Sequence, residues 1–227
     1  MQLKIDLHVH TTYSKDSLIT PKDLIYYAKK RGLNAVAVTD HNQLEGAFKI
    51  AKETDFLVIP GMEVSSADGH IVALNVKELI PRGFSAVETV QRIHDAGGIA
   101  IACHPYASFK GSLKENICET FDAIEIINAR AFPFKKSVKK ATQTAERLGL
   151  SRVAGTDAHY GPQIGYGYTV IEVTDPSIEN IVKAILEGDC QPFGQPVPFS
   201  LNIMQELKRV KRMLKRTSNF SNAVLGL

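Results

Sequence analysis

A regular alternation limits what this chain can fold into more than any other feature of it. Short apolar runs at residues 3–7, 35–39, 56–59, 69–75, 99–103, 123–127, 153–156 and 169–173 are separated by longer segments, several with apolar residues at helical spacing. Runs of strand length between helical patterns read as βα units, which build a parallel sheet, open or closed into a barrel. Helix starts are legible in the first-turn chemistry. Thr20-Pro21-Lys22-Asp23 sets an N-cap and a proline ahead of Leu24, and Gly32 ends that helix. Ser85 and Glu88 form a capping-box pattern, closed by Gly97-Gly98. Further helices are expected over 135–148 and 177–187.

At 227 residues, 44% hydrophobic and 22% charged, the chain can bury one sizeable core. That composition excludes disordered, collagenous and coiled-coil classes. No apolar run approaches the roughly 18 residues of a spanning helix, and no signal peptide opens the chain. Three scattered cysteines, Cys103, Cys118 and Cys190, make neither a disulfide framework nor a paired-cysteine zinc site. A single-domain, cytoplasmic protein is expected, of unknown oligomeric state. One stretch stands apart. Ile203, Leu207, Val210 and Leu214 recur at helical spacing among Lys208, Arg209, Lys211, Arg212, Lys215 and Arg216. The expected arrangement is a terminal helix docked by its apolar stripe, with its basic face solvated; a nucleic-acid contact is the alternative.

Seven histidines decide the functional reading. Six fall at expected strand ends: His8, His10, His41, His104 and His159 at carboxyl ends, and His70 at an amino end. His94 lies within an expected helix and reads as structural. Alternate strand residues share a face, so Asp6, His8 and His10 point one way, and Cys103 turns away from His104 into the core. Asp16, Glu63 and Asp157 join the set. Barrel enzymes gather their catalytic groups at the carboxyl ends of strands. Imidazole and carboxylate without thiolate suit Zn, Mn or Fe.

Seven pieces occur in order: Asp6-Leu7-His8-Val9-His10-Thr11, Thr39-Asp40-His41, Pro60-Gly61-Met62-Glu63, Gly69-His70, Cys103-His104-Pro105, Glu125-Ile126-Ile127-Asn128 and Gly155-Thr156-Asp157-Ala158-His159. Over residues 3–160 this resembles the PHP (polymerase and histidinol phosphatase) domain phosphoesterases. The resemblance implies a distorted (β/α)7 TIM-like barrel over residues 1–200, followed by a basic C-terminal helix or tail over 201–227. It also implies two to three divalent metal ions. His8, His10 and Asp157 would hold a first, Glu63 would bridge to a second held by His70 and His104, and Asp16, His41 and His159 would hold a third. Glu63, Asp157 and His159 are then expected nearest the chemistry.

The implied activity is metal-dependent hydrolysis of a phosphate monoester, or of a nucleotide or oligonucleotide phosphate, by a metal-bound hydroxide. Three dications less three carboxylates leave about +3, which suits a phosphate dianion with hydroxide better than a neutral amide. Alternatives are a histidinol-phosphatase-like small-molecule phosphatase, a non-catalytic PHP-like RNA-binding subunit, and an amidohydrolase, whose carboxylated lysine has no evident place here. Arg130 and Lys110 are candidate phosphate-binding cations. Tyr106 and Tyr160 are candidate nucleobase platforms, and Asp6 is expected to orient the His8 or His10 ring. The spacing from Glu63 to His104 leaves no room for a large capping domain, so an open pocket is expected.

Overall fold

The computed structural model describes residues 1–108 and 110–224, with side chains through Leu214. In chain order the elements are β1 (Gln2–Val9), α1 (Pro21–Lys30), β2 (Ala35–Val38), α2 (Glu45–Lys52), β3 (Leu57–Ser65), β4 (His70–Leu74), α3 (Ala86–Asp95), β5 (Ile99–Ala102), β6 (Ala123–Asn128), α4 (Phe134–Leu148), β7 (Ser151–Gly155), β8 (Gly167–Glu172), α5 (Ile178–Glu187), β9 (Cys190–Gly194) and α6 (Phe199–Val224). Every expected strand is present. Thr20 and Ser85 cap α1 and α3 with reciprocal bonds from Asp23 and Glu88. The sequence pattern misses α2, which is short and lacks a side-chain cap, and β9, which carries Pro192 and Gly194 at the sheet edge, where proline costs no ladder bond.

The sheet runs β7-β6-β5-β4-β3-β2-β1-β8-β9. It is mixed rather than all-parallel: β4 runs antiparallel to β3 and β5, and β8 to β1 and β9. The cause at β4 is connection length. A tight turn closed by Ser66 N–H on the Gly69 carbonyl returns the chain at once, with no room for a crossover helix. Reversal puts the first residue of β4, His70, at the rim where the other strands end. The sheet curls almost into a closed barrel, since the chain leaving β7 pairs with the end of β1. His10 N–H donates to the Ala158 carbonyl (2.9 Å) and Asp157 N–H to the His8 carbonyl (2.7 Å).

β3 extends past the expected end at residue 59 because it changes partner. It pairs with β2 over 57–60 and with β4 over 61–65. Pro60 sits at the switch, and beside it a Cβ on Gly61 would meet the Ala73 carbonyl at 2.6 Å. Glu63 is thereby held inside a rigid strand. Alternate strand residues feed two apolar clusters. Val36, Val58, Ala100 and Ile124 pack under α1–α4, whereas Ile5, Ile59, Ile101 and Val153 pack with Ile181 and Ile185 of α5.

The apolar stripe of α6 faces outward, against expectation: Leu207 is 66% exposed and Val210 50%, whereas Gln205 is 3% exposed. The helix docks by amides instead. Gln163 Nε2 donates to Asn202 Oδ1 (3.0 Å) and Gln205 Oε1 (2.9 Å), and Arg212 donates to the Ser17 carbonyl (2.9 Å). The side chains of Lys215 and Arg216 lie outside the described residues. Among the described residues no helix is long and apolar enough to cross a membrane.

Candidate metal centre

The rim of the barrel gathers six of the seven histidines around one buried carboxylate, Glu63. Its Oε1 lies 2.8 Å from both His70 Nδ1 and His104 Nε2. Its Oε2 lies 3.0 Å from His41 Nδ1, 3.1 Å from His10 Nε2 and 3.5 Å from His8 Nε2. Asp157 Oδ1 stands 3.4 Å from His10 Nε2 and 3.8 Å from His8 Nε2. Asp16 Oδ2 faces His159 Nε2 (3.2 Å) and His41 Nε2 (3.4 Å). The nine expected ligand residues therefore lie in one cluster, but the donors close enough to share an ion cross the three expected sets: His10 groups with His41 and His159, His8 with His104 and Asp157, and His41 with Glu63 and His70. His94 stands apart: its Nε2 pairs with Asp122 Oδ2 at 2.8 Å, while that oxygen also accepts from Ala100 N–H.

The local backbone bends to make this convergence. His104 and Asp157 hold left-handed conformations, at φ +32° and +61°. Such residues cost about 1–3 kcal/mol and persist where the surroundings over-determine them. Glu125 Oε2 does so for His104 by accepting its N–H at 2.7 Å. The same kink corrects the reading of Cys103. The thiol is buried but does not turn away from His104: its Sγ lies 3.6 Å from His104 Nε2 and 3.5 Å from Glu63 Oε1. Glu63, Cys103 and His104 lie close enough together to hold an ion, although burial, then the Glu63 charge, pushes the thiol well above its ordinary range.

Asp6 departs from expectation too, because the β1–β2 register shifts between Asp6 and Val9 and breaks the alternation. Its carboxylate accepts the backbone N–H groups of Thr156 (2.8 Å), Gly165 (2.9 Å) and His8 (3.3 Å), and neither imidazole. Burial holds its carboxyl up at about 6. Glu125 takes the orienting role, with Oε1 3.2 Å from His8 Nδ1. A proton on Nδ1 leaves Nε2 free to ligate. Asp40 was likewise missed. It accepts from the backbone N–H and hydroxyl of both Thr11 and Ser14 and so shapes the loop that carries Asp16. Changing Glu125 to Gln is expected to weaken metal affinity about 10–100-fold, measured by competition with a chromophoric chelator.

Lys110 and Arg130 reach the same pocket. The Lys110 ammonium contacts Asp157 Oδ2. Arg130 Nη1 donates to the Asp157 carbonyl at 2.9 Å and lies 2.6 Å from His159 Nδ1. Burial, then the Arg130 charge, lowers the Lys110 ammonium to about 7. Neither tyrosine offers an open face. Tyr106 is tied to Thr144 at 2.6 Å, and Lys208 covers the Tyr160 ring.

Electrostatics and satisfaction fit a metal centre. Burial opposes ionisation of Glu63, but His10, His104, His41 and His70 outweigh it and hold the carboxyl well below its ordinary range. Asp16 Oδ1 and His104 Nδ1 are buried without a hydrogen-bond partner, and Glu63 Oε2, although 3.0 Å from His41 Nδ1 and 3.1 Å from His10 Nε2, makes no well-aligned hydrogen bond to either. An unpaired buried polar atom costs about 1–3 kcal/mol. Cations seated between these carboxylates and imidazoles would offset that cost for the two carboxylate oxygens, and three-donor groups lie within 4.8 Å, close enough to converge on an ion.

Known proteins resemble this chain in sequence and in fold. The chain is 38% identical over 141 residues to an uncharacterised protein of Methanocaldococcus jannaschii, covering 56% of this chain and 82% of that one. It is 32% identical over 108 residues to a 5'-3' exoribonuclease of Haemophilus influenzae, covering 44% of this chain and 39% of that enzyme. Its fold superposes, at a TM-score of 0.70 and 18% identity, on a two-domain Bacteroides vulgatus protein containing a predicted PHP-like metal-dependent phosphoesterase. That match covers 86% of this chain and 65% of the other. A PHP-associated segment matches residues 136–190. The PHP domain itself matches residues 6–126, more than half the chain, from the first strand through the bridging glutamate to the strand of Glu125, so this chain belongs to the PHP domain family.

Proposed function

We propose that this chain is a metal-dependent phosphoesterase acting on a nucleotide or oligonucleotide phosphate. One observation carries the reading: a single buried carboxylate, Glu63, joins two sets of imidazole donors in a pocket that also holds Lys110 and Arg130. Two to three dications held by His8, His10, Asp16, His41, Glu63, His70, His104, Asp157 and His159 would supply Lewis acidity, lowering the pKa of a water and neutralising phosphoryl charge.

The chain's own groups do the rest. Arg130 offers a planar fork to phosphoryl oxygens and Lys110 a point charge. Glu125 holds His8 with Nε2 presented to the pocket. Arg130 Nη1 donates to His159 Nδ1 and to the Asp157 carbonyl, and His159 Nε2 faces Asp16. The pocket, about 320 Å³, is open to solvent and is lined on one side by Gln205, Glu206 and Arg209 of α6. That opening suits a polymer end, and the likeness to an exoribonuclease supports a nucleotide over a histidinol-phosphatase-like substrate. The complete donor set weighs against a non-catalytic RNA-binding role.

Purified chain loaded with Mn²⁺ or Zn²⁺ is expected to hydrolyse p-nitrophenyl phosphate, mononucleotides or short RNA, and to stop when a chelator is added. Inactivity of the metal-loaded chain on all three substrate classes would reject the reading.

A further inference from the structure

The basic helix is the one sequence motif the metal centre leaves unexplained, and α6 is built into the wall of that centre. Gln163, which binds Asn202 and Gln205, also accepts from the backbone N–H groups of His159 (3.0 Å) and Tyr160 (3.1 Å). Arg212 grips the carbonyl of Ser17, whose hydroxyl donates to the His10 carbonyl at 2.9 Å. The helix is thus wired to the loops of two expected ligands. Its polar side faces the pocket and its apolar stripe faces away.

A second cleft of about 320 Å³ adjoins the metal pocket and shares Asp16 and Arg209 with it. Lys15, Arg212, Leu18 and Met213 complete its lining. Three cations thus face one carboxylate, and Asp16 turns an oxygen toward His41 and His159. Arg209 also pairs with Glu206 at 2.9 Å. That pair is exposed and worth at most about 1 kcal/mol, so its guanidinium can turn to a phosphate at little cost.

We propose that the Lys15–Arg209–Arg212 cleft binds a second phosphate of the same substrate, one nucleotide removed from the phosphate at the histidine cluster. The substrate class is then a nucleotide chain with at least two phosphates. This rests on the phosphoesterase reading above and deepens it. A tethered second phosphate binds at high effective concentration, so the cleft acts on selectivity between long and short substrates. Each charge contact also adds to salt dependence, by about 0.7 in the log–log slope for single strands.

The experiment compares kcat/KM for a 5′-phosphorylated ribotrinucleotide with that for a nucleoside 5′-monophosphate, in the parent chain and in K15A/R212A. The parent is expected to favour the trinucleotide. The double variant is expected to lower that preference about tenfold and to flatten the salt slope of trinucleotide KM by about 1.4. Arg212→Lys, which retains the cation, should keep most of the preference, and Lys15→Ala alone removes an exposed side chain and should lose part of it. A parent that turns over both substrates equally, or a preference unchanged in K15A/R212A, overturns the second-phosphate site while leaving the phosphoesterase reading intact. A metal-loaded parent that hydrolyses no phosphate ester overturns both.

Discussion

Replacing Glu63 with alanine is expected to lower kcat on p-nitrophenyl phosphate by about 10³-fold, equivalent to about 4 kcal/mol of transition-state stabilisation. The size follows from position. One carboxylate faces five imidazoles through its two oxygens, so its removal separates two donor sets and takes a negative charge from between them. Glu63→Gln retains the shape and loses the charge, and should be nearly as inactive with a smaller effect on folding. A thermal melt of both variants separates lost chemistry from lost structure. Activity within tenfold of the parent in either variant would contradict the bridging role.

Chelation is the second large effect. Ions that bind only the folded chain stabilise it by about 2.7 kcal/mol at a free concentration a hundred times their Kd. For a chain of this length each kcal/mol shifts Tm by about 2–4 °C. Stripping the metals should therefore lower Tm by about 5–10 °C, and re-addition should restore it. The oxygens of Glu63 and Asp16 that lack a hydrogen bond point the same way, since they lose the cations that would satisfy them. A Tm indifferent to chelator and to added Mn²⁺ or Zn²⁺ would contradict that prediction.

Much of this is legible in the sequence, for identifiable reasons. Strand ends are local: an apolar run followed by histidine places that histidine at a rim, whichever strand it is. His70 shows why direction still mattered. Its strand end was readable, but only the tight turn at 66–69 reverses β4 and brings that end to the others. Capping residues such as Thr20 and Ser85 were equally plain, because their chemistry lies within four residues.

What escaped was set by geometry that no short window contains. A left-handed His104 turns Cys103 toward Glu63, and a register shift after Asp6 sends its carboxylate to loop amides. Glu63 was expected beyond a strand ending at residue 59; instead β3 runs on through it by changing partner from β2 to β4. The face of α6 was misread for a related reason. Its apolar periodicity is real, but Gln163 lies about forty residues away and supplies the amide donors that decide which side docks.

The count of bound ions per chain tests the central claim most directly. Elemental analysis of the folded chain, saturated with Mn²⁺ or Zn²⁺ and then freed of excess metal, should find two to three ions per chain, and fewer in Glu63→Ala. A folded parent chain carrying less than one ion after saturation would contradict the metal centre.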